Sequence, residues 1–117
     1  MAERFDSYLP LSSAAQHILL ALAGEDLHGY GIMQETARQS EGIYKLGPGT
    51  MYDNLQKLIQ IGWVQELGPR RGDGDPRRRY YRLTDAGRDV LTAETARLTQ
   101  VVREARLRLR VPNPRRV

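Results

Sequence analysis

Between residues 68 and 76 the chain places Gly68, Pro69, Gly72, Gly74 and Pro76, and no other stretch limits its architecture as strongly. Proline lacks the N–H that a helix interior or a central strand requires, and glycine at this density weakens both elements, so the segment must turn. The flanks fix the kind of turn. Trp63 to Leu67 before it and Arg79 to Leu83 after it alternate apolar and polar residues, the second with Tyr81 and Leu83 on one face and Tyr80 and Arg82 on the other. Period-two alternation on both sides of a turn predicts a β-hairpin.

Three helices are expected ahead of the hairpin. Residues 12–23 begin with the N-cap candidates Ser12 and Ser13 and direct Ile18, Leu19 and Leu22 inward, up to the break at Gly24, Glu25 and Asp26. A second helix, Gly29 to Ser40, gathers Ile32, Met33 and Ala37 on one face, and Gly42 is placed to close it in a left-handed cap. Ile43, Tyr44 and Lys45 read as a very short strand. A third helix runs from Pro48, tolerated in a first turn, to Ile61, with Gly62 as its stop. At ~100° per residue, Met51, Leu55, Leu58 and Ile59 share its inward face. Gly49, Thr50, Asp53, Gln56, Lys57 and Gln60 lie opposite, with Tyr52 and Asn54 on the shoulders. After the hairpin, Thr84 caps a last helix that extends to about Arg110, where Val111, Pro112, Asn113 and Pro114 end it.

The expected fold is therefore mainly α with a small β-hairpin: a winged helix-turn-helix over residues 1–84, including an N-terminal arm, then a C-terminal dimerisation helix over 85–110 and a mobile basic tail over 111–117. A plain three-helix bundle requires no basic hairpin after its third helix. In the last helix Leu91, Leu98 and Ala105 fall at heptad spacing, flanked by Val101, Val102 and Leu109, a stripe that outruns any contact a small winged domain offers. A second copy of the chain is the expected cover, making a homodimer.

Charge is segregated. Residues 70–82 hold six arginines against Asp73 and Asp75, and residues 103–117 hold six against Glu104, whereas residues 1–69 carry −4 and the whole chain only +4. Concentrated arginine on a mildly acidic body fits a polyanionic partner, here double-stranded DNA, although a solvated charged face has the same composition. The chain has no cysteine, and only His17 and His28 remain as imidazole ligands, so neither a metal nor a cofactor is expected. Paired carboxylates, a nucleophile with its base and a phosphate loop are all missing, which argues against an enzyme. No run approaches the ~18 to 20 apolar residues of a membrane span, and no export signal opens the chain, so a cytoplasmic location is expected.

Three segments, HGYGIMQE from His28, LGPGTMYDNLQKLIQIGWV from Leu46 and RRRYYRLTDAGRDVL from Arg77, resemble the PadR family of transcriptional regulators, across roughly residues 11–91. The single final helix resembles that of the family's short members. The resemblance implies dimerisation through that helix, repression from a pseudo-palindromic operator, and release by a small aromatic or drug-like effector. The chain departs from the family's usual pattern at Gly31, Asp53 and Asn54.

On this reading, Thr50, Asn54 and Lys57 contact phosphates or bases. Tyr52 lends its ring to the core edge and its hydroxyl to a phosphate, or serves the core alone. Arg70, Arg71, Arg77, Arg78 and Arg79 meet the DNA backbone or a narrow minor groove. Asp73 and Asp75 form turns, His28 supports the second helix, and Trp63 and Tyr81 are core residues, with Trp63 also a candidate wall for an effector at the dimer interface. The rival reading of the same domain is a module for protein contact, or an architectural DNA binder without an effector.

Overall fold

The computed structural model describes residues 7–70, 72 and 74–110. Its elements are α1 (Ser13–Leu22), β1 (Leu27–His28), α2 (Gly29–Gln39), α3 (Pro48–Ile61), β2 (Val64–Leu67), β3 (Tyr80–Leu83) and α4 (Asp85–Leu109). Each helix starts where a side chain or a proline resolves its unpaired N–H groups. Ser12 accepts from the Ala15 amide at 3.1 Å, His28 Nδ1 from the Gly31 amide at 3.0 Å, and Thr84 from the Gly87 amide at 3.0 Å, while α3 opens on Pro48. Gly62 ends α3 at φ 95° and Gly42 follows α2 at φ 78°, both left-handed conformations that glycine adopts at little cost.

The sheet has three strands in the order β1-β3-β2, all antiparallel. Val64 pairs with Leu83 and Leu67 with Tyr80, so β2 and β3 form the expected hairpin, one residue shorter at Trp63 and at Arg79 than the alternation suggests. The third strand corrects the sequence reading. Ile43 to Lys45 is not a strand: Glu41 at φ 52° and Gly42 turn the chain outward, Ile43 is 89% exposed, and the Tyr44 amide is tied back to Ser40 Oγ at 3.1 Å. Leu27–His28 takes that role, pairing with Tyr81 and Tyr80.

Ile18, Leu19, Ile32, Met51, Leu55 and Val90 are fully buried, drawn from α1, α2, α3 and α4. Trp63, Tyr81 and Leu83 add the sheet's inner face to this core, while Arg82 stays exposed, as the alternation requires. The first three turns of α4 belong to the same core through Gly87, Val90, Leu91 and Glu94. Beyond residue 94 the helix leaves it and projects a further fifteen residues, about 22 Å at 1.5 Å per residue. The packed unit thus extends past residue 84 into α4. Glu94 is fully buried, accepts from the Leu11 amide at 2.8 Å and pairs with Arg97, which fastens the segment before α1 onto α4. The tail at 111–117 lies outside the described residues.

Candidate nucleic-acid interface

The face of α3 opposite the core is polar because nothing packs on it. Thr50, Asp53, Gln56 and Lys57 are exposed, and Asn54 is half-buried with its Nδ2 donating to the Thr50 carbonyl at 2.8 Å. Among these groups the amide, the hydroxyl and the ammonium can meet base edges or phosphates, and the Asp53 carboxylate can accept from a cytosine amino group. Tyr52 stands at the edge, 47% exposed, with its hydroxyl against Gly29 at the start of α2.

That contact forms one wall of a cleft of about 340 Å³ between the N-terminal ends of α2 and α3 and the hairpin. His28, Tyr30 and Tyr52 line one side of it, and Arg77, Arg78 and Arg79 the other. Tyr30, 63% exposed, is left undecided by the sequence, because its helical position alone does not separate a surface aromatic from a core edge. The hairpin tip owes its shape to local turns. Asp75 Oδ1 accepts from the Arg77 amide at 2.9 Å, and Gly72 and Gly74 hold φ of 82° and 88°. Asp75 is therefore a turn-former, as read from the sequence; Asp73 lies outside the described residues.

The wing arginines do not form one uniform patch. Arg77 is 91% exposed, with Asp75 3.6 Å from its guanidinium. Arg79 lies 3.9 Å from Glu66 on the adjacent strand. Arg70 instead folds back on the body: its guanidinium donates to Asp26 at 2.7 Å and sits 4.5 Å over the Tyr80 ring. Arg71 lies outside the described residues. Asp26 escaped sequence reasoning because its partners are 44 and 56 positions away, at Arg70 and Arg82.

On α4 the apolar stripe separates into two parts. Leu91 is buried in the chain's own core and is no longer part of a free face. Leu98 is half-buried, Ala105 is exposed, and Val101, Val102 and Leu109 are 51%, 49% and 72% exposed. Between α1 and α4 runs an apolar groove of about 410 Å³, lined by Gln16, Leu20, Leu91, Glu94, Leu98 and Val102 among others. Trp63 does not line it. Its ring is buried in the core and meets Tyr8 edge-on at 5.0 Å, which corrects its placement as a wall of that groove.

These elements define a winged helix-turn-helix protein, mainly α with a small three-stranded antiparallel sheet, prolonged by a long C-terminal helix. Within that class the chain belongs to the transcriptional regulator PadR-like family, whose model matches residues 18–93. The transcriptional regulator Rv3488 of Mycobacterium tuberculosis is 35% identical over 88 residues, spanning 75% of this chain and 78% of that one. A PadR family regulator from Clostridium difficile superposes with a TM-score of 0.70 at 21% identity, over 84% of this chain and 98% of the other. Bacillus subtilis PadR, solved in complex with operator DNA, superposes with a TM-score of 0.61 at 24% identity, over 71% of this chain and 45% of the other. The chain is a transcriptional regulator and not an enzyme. Among the described residues no helix is long and apolar enough to cross a membrane.

Proposed function

We propose that two copies of this chain bind a pseudo-palindromic operator in the cytoplasm, each placing α3 in a major groove and its wing on the adjoining backbone, and thereby repress transcription. The observation that carries this reading is the exposed polar face of α3 standing beside a cleft edged by Arg77, Arg78 and Arg79. A helix that fits a groove 12 Å wide needs one solvent-facing polar side, and a flanking hairpin needs cations within reach of phosphate. In support of this, the exposed face of α3 and the three arginines stand on either side of the Tyr52 edge of one cleft. The operator complex of Bacillus subtilis PadR supports the same use of the fold.

Dimerisation is assigned to the projecting half of α4, where Val101, Val102, Ala105 and Leu109 are exposed among the described residues and Leu98 is half-buried at the edge of the α1 groove. The groove between α1 and α4 continues this surface and has the size and apolar lining that a planar aromatic effector requires. Binding there alters the packing of α4 against α1 and with it the spacing of the two α3 helices, which is how release from the operator would follow.

Selection of bound fragments from a random duplex library tests the reading. Recovery of an inverted repeat with half-sites about one helical turn apart is the expected result. Recovery without sequence preference would favour the architectural alternative.

A further inference from the structure

The positive charge of the wing is divided between two faces of the sheet. Arg77, Arg78 and Arg79 border the cleft beside α3. Arg70 and Arg82 lie on the other side of β3, the side that carries Tyr80 and is turned away from the buried Tyr81 and Leu83. Asp26 brings them together. It stands one residue before β1, and because Leu27 pairs with Tyr81 in antiparallel register, Asp26 falls across from Arg82. Arg82 donates to it twice, Nε at 3.1 Å and Nη2 at 2.8 Å, and Arg70 once, Nη2 at 2.7 Å, with the Asp26 side chain only 16% exposed. These bonds, that of Arg82 foremost, hold the Asp26 carboxyl below the usual carboxylate range.

The two arginines are not held alike. Arg82 is anchored by a bidentate fork, the geometry that planar guanidinium favours, from within a strand. Arg70 follows Gly68 and Pro69, at the start of the turn-rich tip, and is retained by a single bond to Asp26 and by the Tyr80 ring beneath it. Its position in the chain is that of a backbone-gripping residue, yet its guanidinium is held at Asp26. We propose that Asp26 is a positioning residue that withholds Arg70 from the DNA backbone, and so limits the part of the affinity that does not depend on sequence. A phosphate contact strengthens binding to every duplex alike, so keeping one in reserve lowers the background on which the operator must be found. The inference rests on the DNA-binding reading above.

The test is a cycle of Asp26→Asn, Arg70→Gln and the double variant, with Glu25→Gln as the control for loss of one exposed carboxylate next door. Binding to operator and to random duplex is measured against salt. Asp26→Asn should steepen the log–log salt slope by about 0.9 per protomer, equally on both DNAs, and Arg70→Gln should change affinity by less than about twofold in the wild-type background while cancelling the gain in the Asp26→Asn background. Three results overturn the proposal: an unchanged slope in Asp26→Asn, the same gain from Glu25→Gln, or a loss on Arg70→Gln that is as large in the wild type as in Asp26→Asn. Should Asp26→Asn fail to fold, Arg70→Gln alone decides, since a residue already on the backbone cannot be silent. If the wild-type chain binds neither duplex at low salt, the DNA-binding reading itself fails, whereas wild-type binding with a silent Asp26→Asn removes this inference only.

Discussion

Two glycines show how much a single hydrogen atom can determine here. A Cβ on Gly87 would stand 2.1 Å from the Trp63 carbonyl oxygen and 2.8 Å from a Leu83 methyl, because the first turn of α4 is pressed against the corner where α3 passes into β2. Backbone cannot move aside as a side chain does, and Thr84 fixes the same corner by donating to the Gly62 carbonyl at 2.7 Å and to the Trp63 carbonyl from its amide at 3.1 Å. Gly87→Ala should therefore lower the unfolding free energy by about 2 kcal/mol or more, read from chemical denaturation. Gly29 offers the contrast. A Cβ there would meet the Tyr52 hydroxyl at 2.5 Å and the Met51 methyl at 3.0 Å, in both cases the far end of a flexible side chain rather than backbone, and the Tyr52 ring is half in solvent. Gly29→Ala should leave the melting temperature within a few degrees of wild type but displace Tyr52 from the cleft, weakening operator binding several-fold; addition of Tyr52→Phe should relieve the crowding without restoring the hydroxyl contact. Equal loss of stability in the two alanine variants would contradict this reading of the cleft wall.

At the level of elements, the N-terminal segment is held to α4 by one buried carboxylate, and its stability should follow pH accordingly. Arg97 foremost, then the Leu11 amide, lowers the Glu94 pKa from its ordinary value of 4.5 against the opposing effect of burial. A depressed folded-state pKa means that the stabilisation is fully present above about pH 4.5 and is lost as pH falls through the lower folded value. Wild type should thus lose melting temperature below pH 4.5 more steeply than Glu94→Gln, which keeps an acceptor for Leu11 but has no charge to titrate; parallel acid profiles would refute the assignment. This latch was not legible in the sequence, where Glu94 is one polar residue in a helix full of them. What was legible depended on period and punctuation. The three helices before the hairpin announced themselves through Ile18, Ile32 and Leu55 at helical spacing and through Ser12, Pro48 and Gly62 at their ends. β1 did not, since two residues carry no periodicity and Leu27–His28 is a strand only because β3 lies beside it. Ile43 to Lys45 failed for the reverse reason, β-prone residues with no strand to pair with. The Thr50, Asn54 and Lys57 face was readable because one helix supplies it, whereas the cleft and the Asp26 cluster join residues from three or more segments.

For the molecule as a whole, the projecting half of α4 and the basic wing carry separate parts of the proposed assembly, the first its dimerisation and the second its grip on DNA. Leu98→Asp with Val102→Asp places two charges per protomer on the proposed interface without touching the core around Val90, so the variant should sediment as a monomer at micromolar concentration while wild type sediments as a dimer. A monomer keeps one α3 and one wing, and its salt slope should fall to about half the wild-type value. Within each protomer the two contact elements should also separate by measurement. Arg77→Ala with Arg78→Ala removes cations from a tip whose shape is set by Asp75, Gly72 and Gly74, so folding should be preserved while affinity drops alike on operator and on random duplex. Each lost phosphate contact reduces the log–log slope by about 0.9, and the proposed twofold symmetry doubles the loss. Asn54→Ala and Lys57→Ala act on the exposed face of α3, where a residue that reads a base edge should shift preference among operator variants by ~1 to 3 kcal/mol and leave random-duplex binding comparatively intact. Titration of the three variants against both DNAs across salt decides the matter. A wing variant that keeps the wild-type slope on both would show that Arg77 and Arg78 are solvated surface charge, and that α3 alone carries the grip on DNA.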